Sequence, residues 1–209
     1  MKSLDEYLRD AEQAHGHLCA GQVLGVRLAM LGLQKLGVDD PQGKDRKRLV
    51  TFVEIDRCAT DAVAVVTGCR LGKRALKFRD WGKMAATFVD LSARLRTNEP
   101  GQNVADHWYR AIRIAAKESS KALARAMHPE IENKNQQQML AYREMSDDDL
   151  FAMEWVKVEL PPEEFPGYKA ARIVCGVCGE GINFGREVRH EGNVFCRACA
   201  GNKYYEPLQ

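Results

Sequence analysis

Apolar residues in the first quarter of the chain recur at helical spacing, and the pattern then changes to an unbroken apolar run. Val23, Leu24, Leu28, Leu31 and Leu36 in AGQVLGVRLAMLGLQKLG predict a long helix that Gly37 caps. Ahead of it, Ser3 and Glu6 form an S-x-x-E capping box opening a first helix, which Gly16 ends. The polar stretch DDPQGKDRK connects to RLVTFVEI, a buried strand. Next comes a short apolar helix, capped by Thr60 or Asp61 and broken by Gly68. ALKFRDWGKMAATFVDL then predicts a hairpin of two strands turning at Asp80-Trp81-Gly82.

Residues 97–145 differ in character. Pro100-Gly101 marks a break, NVADHWYRAIRIAAKESSKALARAM reads as strongly helical, and ENKNQQQ is a weakly specified polar stretch. Ser146 caps DDDLFAM, and EWVKVEL is a strand. PPEEFPGY, with three prolines in eight residues, is the clearest linker. The expected organisation is therefore an α+β core over 1–165, of mixed helix and sheet. A small C-terminal zinc-ribbon or treble-clef-like zinc finger follows over 166–209.

Composition narrows the classes. The chain has 209 residues, 45% hydrophobic and 29% charged, as in ordinary globular proteins, and a formal net charge of +2 makes no electrostatic case for nucleic acid or anionic membrane. The N-terminus is acidic and amphipathic, unlike a secretory signal, and Arg27 interrupts the best candidate for a membrane span. A cytoplasmic protein is expected. Seven cysteines, four of them in two C-x-x-C pairs, favour metal ligation over a disulfide framework in such a compartment.

Those pairs carry the strongest chemical signal. Cys175 and Cys178 are separated by seventeen residues from Cys196 and Cys199, a spacing typical of a structural four-cysteine zinc site. Each C-x-x-C turn aims two thiolates at one point, and REVRHEGNVF forms a hairpin with Gly192 in its turn that delivers the second pair. Two redox-active C-x-x-C pairs are the competing reading.

HGHLCAGQVLGVRLA, EIDRCATDAVAVVTGCRLGK and FRDWGKMAATF together resemble the FmdE family, named for a protein encoded with molybdenum or tungsten formylmethanofuran dehydrogenase. The fingers resemble the DksA/TraR type, which some members of that family carry. The resemblance implies an α+β core with a separate zinc finger and an intertwined homodimer. It departs from the pattern at Ala20, where proline is expected, and does not reach residues 97–145.

Chemistry read from the residues runs in parallel. Gly16 frees His17 from helical geometry, Cys19 stands at the positive end of the next helix, and Cys58 lies between a strand end and a helix start. His17, Cys19 and Cys58, with His15, Cys69 or a carboxylate such as Glu54 or Asp56 in reserve, form a mixed N/S set suited to zinc or another late transition metal. The alternative is that Cys19, Cys58 and Cys69 are buried small hydrophobes. His107, His128 and His190 read as structural, and Lys73, Arg79 and Lys83 as a solvated basic edge or an anion pocket.

Three functions follow. The first is a metal-binding protein, accessory to or associated with molybdenum or tungsten metabolism, with its enzymatic status left open. The second is a regulatory protein whose finger contacts nucleic acid or a protein partner, through Arg172, Arg186, Arg189, Arg197 and Lys203 diluted by Glu180, Glu187 and Glu191. The third is thiol redox through Cys19 and Cys58.

Overall fold

A computed structural model describes residues 1–95 and 107–208. The chain divides into two compact units, Met1–Leu160 and Pro161–Gln209.

The first unit packs helices against one face of a five-stranded sheet. Helix α1, Leu4–His15, starts at the expected capping box: the Ser3 hydroxyl accepts from the Glu6 N–H while the Glu6 carboxylate accepts from the Ser3 N–H. Gly16 ends it in the left-handed region at φ 93°. Helix α2, Ala20–Leu36, is buried on nearly every side, as an apolar helix without a polar face must be. Its one charged interior residue has a specific task. The Arg27 guanidinium donates to the carbonyls of Tyr142 and Met145 at 2.8 and 2.6 Å and pairs with Asp147. It thereby satisfies the last carbonyls of a distant helix.

Strand β1, Leu49–Val53, leads into helix α3, Cys58–Thr67, and the chain returns as β2, Leu76–Phe78, parallel to β1. Strand β3, Ala85–Arg94, pairs antiparallel with the other side of β1. The sheet order is β2-β1-β3-β4-β5, with β4 spanning Trp108–Ala116 and β5 spanning Phe151–Glu159. Val53, Ala86, Phe88, Ile112 and Ile114 carry the helix-covered face of the core. Helices α4, Ser119–Met127, α5, Lys134–Glu144, and α6, Asp147–Leu150, complete the unit, the last with the Ser146 cap expected.

Three expectations are corrected. The turn at Gly82 is present, with φ 63°, but β2 and β3 do not form a hairpin: β1 lies between them. Residues 108–116 are a strand rather than part of a helix. Ala and Arg give this stretch local helix propensity, yet β4 takes hydrogen bonds from β3 on one side and β5 on the other, and that tertiary pairing prevails. In the polar stretch ENKNQQQ, Asn133 is a cap that accepts from the Gln136 N–H, and the residues from Lys134 onward are helical in α5. The Pro100-Gly101 break lies outside the described residues. No helix among the described residues is long and apolar enough to cross a membrane.

The second unit has two short hairpins, Ile173–Val174 (β6) with Gly181–Ile182 (β7) and Val188–His190 (β8) with Asn193–Phe195 (β9). No α-helix occurs in residues 161–208, so of the two forms expected the unit follows the ribbon.

Candidate metal centres

The core centre forms where the C-terminus of α1 and the N-termini of α2 and α3 meet. Glycines set that closeness. A Cβ on Gly25 would lie 2.5 Å from the Ala59 carbonyl oxygen, and one on Gly21 would lie 3.2 Å from the Cys58 Cβ and 3.7 Å from the Cys19 Sγ. The glycine face of α2 thus receives α3 of the same chain, and its closeness is no argument for a second chain.

Ligand atoms of His15, His17 and Cys19 all lie within 4.8 Å of one another. The imidazole rings are 4.9 Å apart, and Cys19, the N-cap of α2, is buried. His15, held in reserve on sequence grounds, is a full member. Its Nδ1 lies 2.8 Å from the Asp61 carboxylate. A carboxylate can only accept, so Nδ1 carries the proton and the Nε2 lone pair is left for a ligand role.

Cys58 opens α3 beside this cluster. Burial, and then the neighbouring Cys19 thiol, push the Cys58 thiol above its ordinary range. The helix starts two residues earlier than Thr60. The Thr60 hydroxyl donates to the Ile55 carbonyl, and Asp61 serves His15 rather than capping. Ala20 has an explanation as well: its N–H donates to Asn135 Oδ1 at 3.0 Å, a bond that proline could not make.

Other candidates fall elsewhere. The Cys69 thiol is buried in the core against the Thr51 hydroxyl and the Leu49 carbonyl, and burial pushes it up. Glu54 is no reserve ligand, because Arg113 grips its carboxylate with two bonds of 2.7 and 2.6 Å. His128 caps α4 between Glu130 and Glu144, and the His107 carbonyl accepts from the Leu160 N–H. His190 is exposed in β8. Sequence reasoning missed Asp61 as a partner of His15, and it missed Gln22. The Gln22 amide, fully buried, donates to the Cys58 carbonyl at 2.7 Å. Neither partnership leaves a spacing signal, since each joins two elements.

In the second unit the four cysteine sulfurs lie within 4.8 Å of one another and form no disulfide. The Cys178 and Cys196 sulfurs are 3.9 Å apart, close to the ~3.8 Å edge of a tetrahedron with zinc–sulfur bonds of ~2.3 Å. The Cys196 N–H donates to the Cys175 sulfur and the Cys199 N–H to the Cys196 sulfur. Backbone N–H groups of Cys178, Cys196 and Val177 hold the Cys175 thiol down to about 6. Crowding by Cys196, then burial and the other thiols, pushes Cys199 up to about 12. Such a set repels as four anions and becomes favourable around one cation, so it fits a metal. All four positions are supplied by protein, the pattern of a structural site.

Comparison with known proteins agrees with this architecture. A crystal structure of a tungsten formylmethanofuran dehydrogenase FmdE-like protein from Syntrophus aciditrophicus shares the fold. Its TM-score is 0.61 at 19% identity, over 98% of this chain and 96% of that one. A probable S-adenosyl-L-methionine-binding protein of Archaeoglobus fulgidus is 30% identical over 96% of this chain and 54% of its own length, so the chain spans about half of that relative. The family described as FmdE, molybdenum formylmethanofuran dehydrogenase operon, matches residues 14–152, which take in the His15–Cys19 cluster, α3 and the whole FRDWG loop. The chain belongs to the FmdE family.

Proposed function

We propose that this protein binds one late transition-metal ion in its core, through His15, His17 and Cys19 with Cys58 beside them, and one structural zinc ion in a DksA/TraR-type finger. Its role is accessory to molybdenum or tungsten enzymes of the formylmethanofuran dehydrogenase type. The observation that carries the reading is the convergence of two imidazoles and a buried thiol within 4.8 Å across two helix ends.

The residues divide the work. Asp61 fixes the His15 ring, and Gln22 fixes the backbone at Cys58. Cys19 is buried, while Cys58 is half-buried and His17 exposed, so the thiol of Cys19 is shielded on a site that stays open to solvent on its histidine side. A mixed imidazole and thiolate set suits zinc, iron or cobalt better than a hard cation, and the bound ion would supply Lewis acidity.

The link to molybdenum or tungsten metabolism rests on the family's name. S-adenosylmethionine binding is not carried over from the archaeal relative, almost half of which lies outside the match. A nucleic-acid role for the finger is disfavoured by charge, since six basic residues in 161–209 face six acidic ones. The homodimer is proposed from the resemblance alone, and sedimentation at micromolar concentration tests it.

Metal analysis of the full chain tests the core site. About two ions per chain are expected for wild type, after loading with zinc or cobalt, and about one for Cys19→Ala. Equal metal content in the two proteins would remove the core site from the proposal.

A further inference from the structure

Cys19 stands at the N-cap of α2 but does no capping. Its side chain makes no bond to the first helical turn, where a serine, aspartate or asparagine would close one. The N–H of the buried Ala20 would then lack an acceptor. It is answered from another helix, by Asn135 Oδ1 of α5 at 3.0 Å, 115 positions along the chain. Asn135 itself is exposed, so burial gives no reason for its amide, whereas the buried donor does.

This bond falls on the peptide group next to the thiol. The Ala20 N–H and the Cys19 carbonyl belong to one planar unit, and that carbonyl accepts from the Gln22 and Val23 N–H groups at 3.0 and 3.2 Å. With both ends bonded the plane is fixed, and with it the Cys19 ψ of 169°. The carbonyl bonds set the plane against α2, and Asn135 sets it against α5. Helix α5 is in turn clamped along α2, because Arg27 donates to the Tyr142 and Met145 carbonyls at its far end. The Cys19 sulfur, released from capping, lies within 4.8 Å of ligand atoms of His15 and His17.

We propose that Asn135 is a positioning residue of the core metal centre: by accepting from the Ala20 N–H it holds the Cys19 peptide so that the thiol meets His15 and His17. The role rests on the metal-binding reading of that cluster. It makes a specific demand, that Asn135 matters only while residue 20 carries an N–H. Proline at position 20 removes that donor at little conformational cost. Position 20 is the first of the helix, which proline favours, and Cys19 at φ −141° and ψ 169° already has the extended backbone of a residue before proline.

The test is cobalt titration of the full chain, followed by thiolate-to-cobalt charge-transfer absorption, with Cys19→Ala as the baseline for the finger alone. Asn135→Leu should weaken cobalt at the core about tenfold and lower the charge-transfer intensity per bound ion. Asn135→Asp, which keeps the acceptor oxygen, should stay within about threefold of wild type. Ala20→Pro/Asn135→Leu should return to within about threefold as well, because no N–H is left to satisfy. Wild-type affinity and spectrum in Asn135→Leu, even with a lowered urea midpoint, would make Asn135 a helix cap only and overturn the role. Failure of Ala20→Pro to restore binding would overturn the assignment to the Ala20 N–H. Identical titrations of wild type and Cys19→Ala would instead overturn the metal-binding reading, and the positioning role with it.

Discussion

Replacing Gly25 with alanine should both destabilise the core and weaken its metal site, because this glycine sets the distance between α2 and α3. An added Cβ would stand 2.5 Å from the Ala59 carbonyl oxygen, 2.7 Å from the Ala59 Cα and 2.8 Å from the Ala62 Cβ. Ordinary contact begins at 3.4 Å, so the two helices must part by close to an ångström. The obstacles are helix backbone and a Cβ, which cannot swing aside. Overpacking of this kind costs about 1–3 kcal/mol, and backbone obstruction places it at the upper end. Alanine returns about 1 kcal/mol of helix propensity relative to glycine. The net expectation is a loss of about 1–2 kcal/mol. The same widening separates Cys19 from Cys58, which begin the two helices, so cobalt affinity should fall about tenfold or more. Urea unfolding and cobalt titration measure the two effects. Gly72→Ala is the control: nothing lies within 4 Å of its added Cβ, so stability should stay within about 0.5 kcal/mol of wild type. If Gly25→Ala unfolds at the wild-type urea midpoint with undiminished cobalt affinity, the close approach of α2 and α3 does not shape the site.

Three further outcomes are expected. Cys196→Ser should unfold the finger while the far-UV helix signal of the core persists, because residues 161–208 bury only Cys175 and Ile182 among their apolar side chains and the chain divides after Leu160. Loss of the whole fold in that variant would contradict the division. Arg113→Met should cost about 3–5 kcal/mol in urea unfolding by leaving Glu54 buried and unpaired, and Glu54→Gln/Arg113→Met should recover most of it. No recovery in the double variant would show that the arginine's packing, not the charge pair, matters. Acid should weaken the fold through Asp45 and Asp90. The Asp40 backbone N–H and then Arg48 hold Asp45 below the ordinary 3.8, and for Asp90 burial pushes upward but bonds from Arg48 and Ser92 prevail. Both carboxyls therefore bind fewer protons folded than unfolded, and their contribution, complete above the ordinary value, is lost as pH falls below it. Urea midpoints followed from about pH 5 to pH 2 should fall less steeply in Arg48→Met, and an identical slope would exclude this cluster as a source of acid sensitivity.

Local signals in the chain marked most helix ends correctly, because a cap involves residues only a few positions apart. Ser3 with Glu6, Gly16, Gly37, Gly68 and Ser146 all act where their residue types predicted. The cysteine module was legible for the same reason: two C-x-x-C turns leave a spacing that geometry must obey, and the four sulfurs do converge. The cluster at 15–19 was visible as a density of ligand types. That His15 joins His17 and Cys19, while Cys69 goes to the core, was not.

Residues 108–116 show the limit. Its Ala and Arg favour a helix and its Trp, Tyr and Ile a strand, so local propensity is divided, and partners on both sides decide for the strand. The same holds for β1, which lies between β2 and β3 although it precedes both in the chain. By itself the sequence determined the caps, the apolar periods, the thiol pairs and the family motifs, since each depends on neighbours along the chain. Only the tertiary structure decided that α3 fills the glycine face of α2, that Asp61 orients His15, and that Arg113 removes Glu54 from the ligand set. Those contacts join residues 34 to 59 positions apart, counted from Gly25 to Ala59 and from Glu54 to Arg113, and nothing short of packing brings them together.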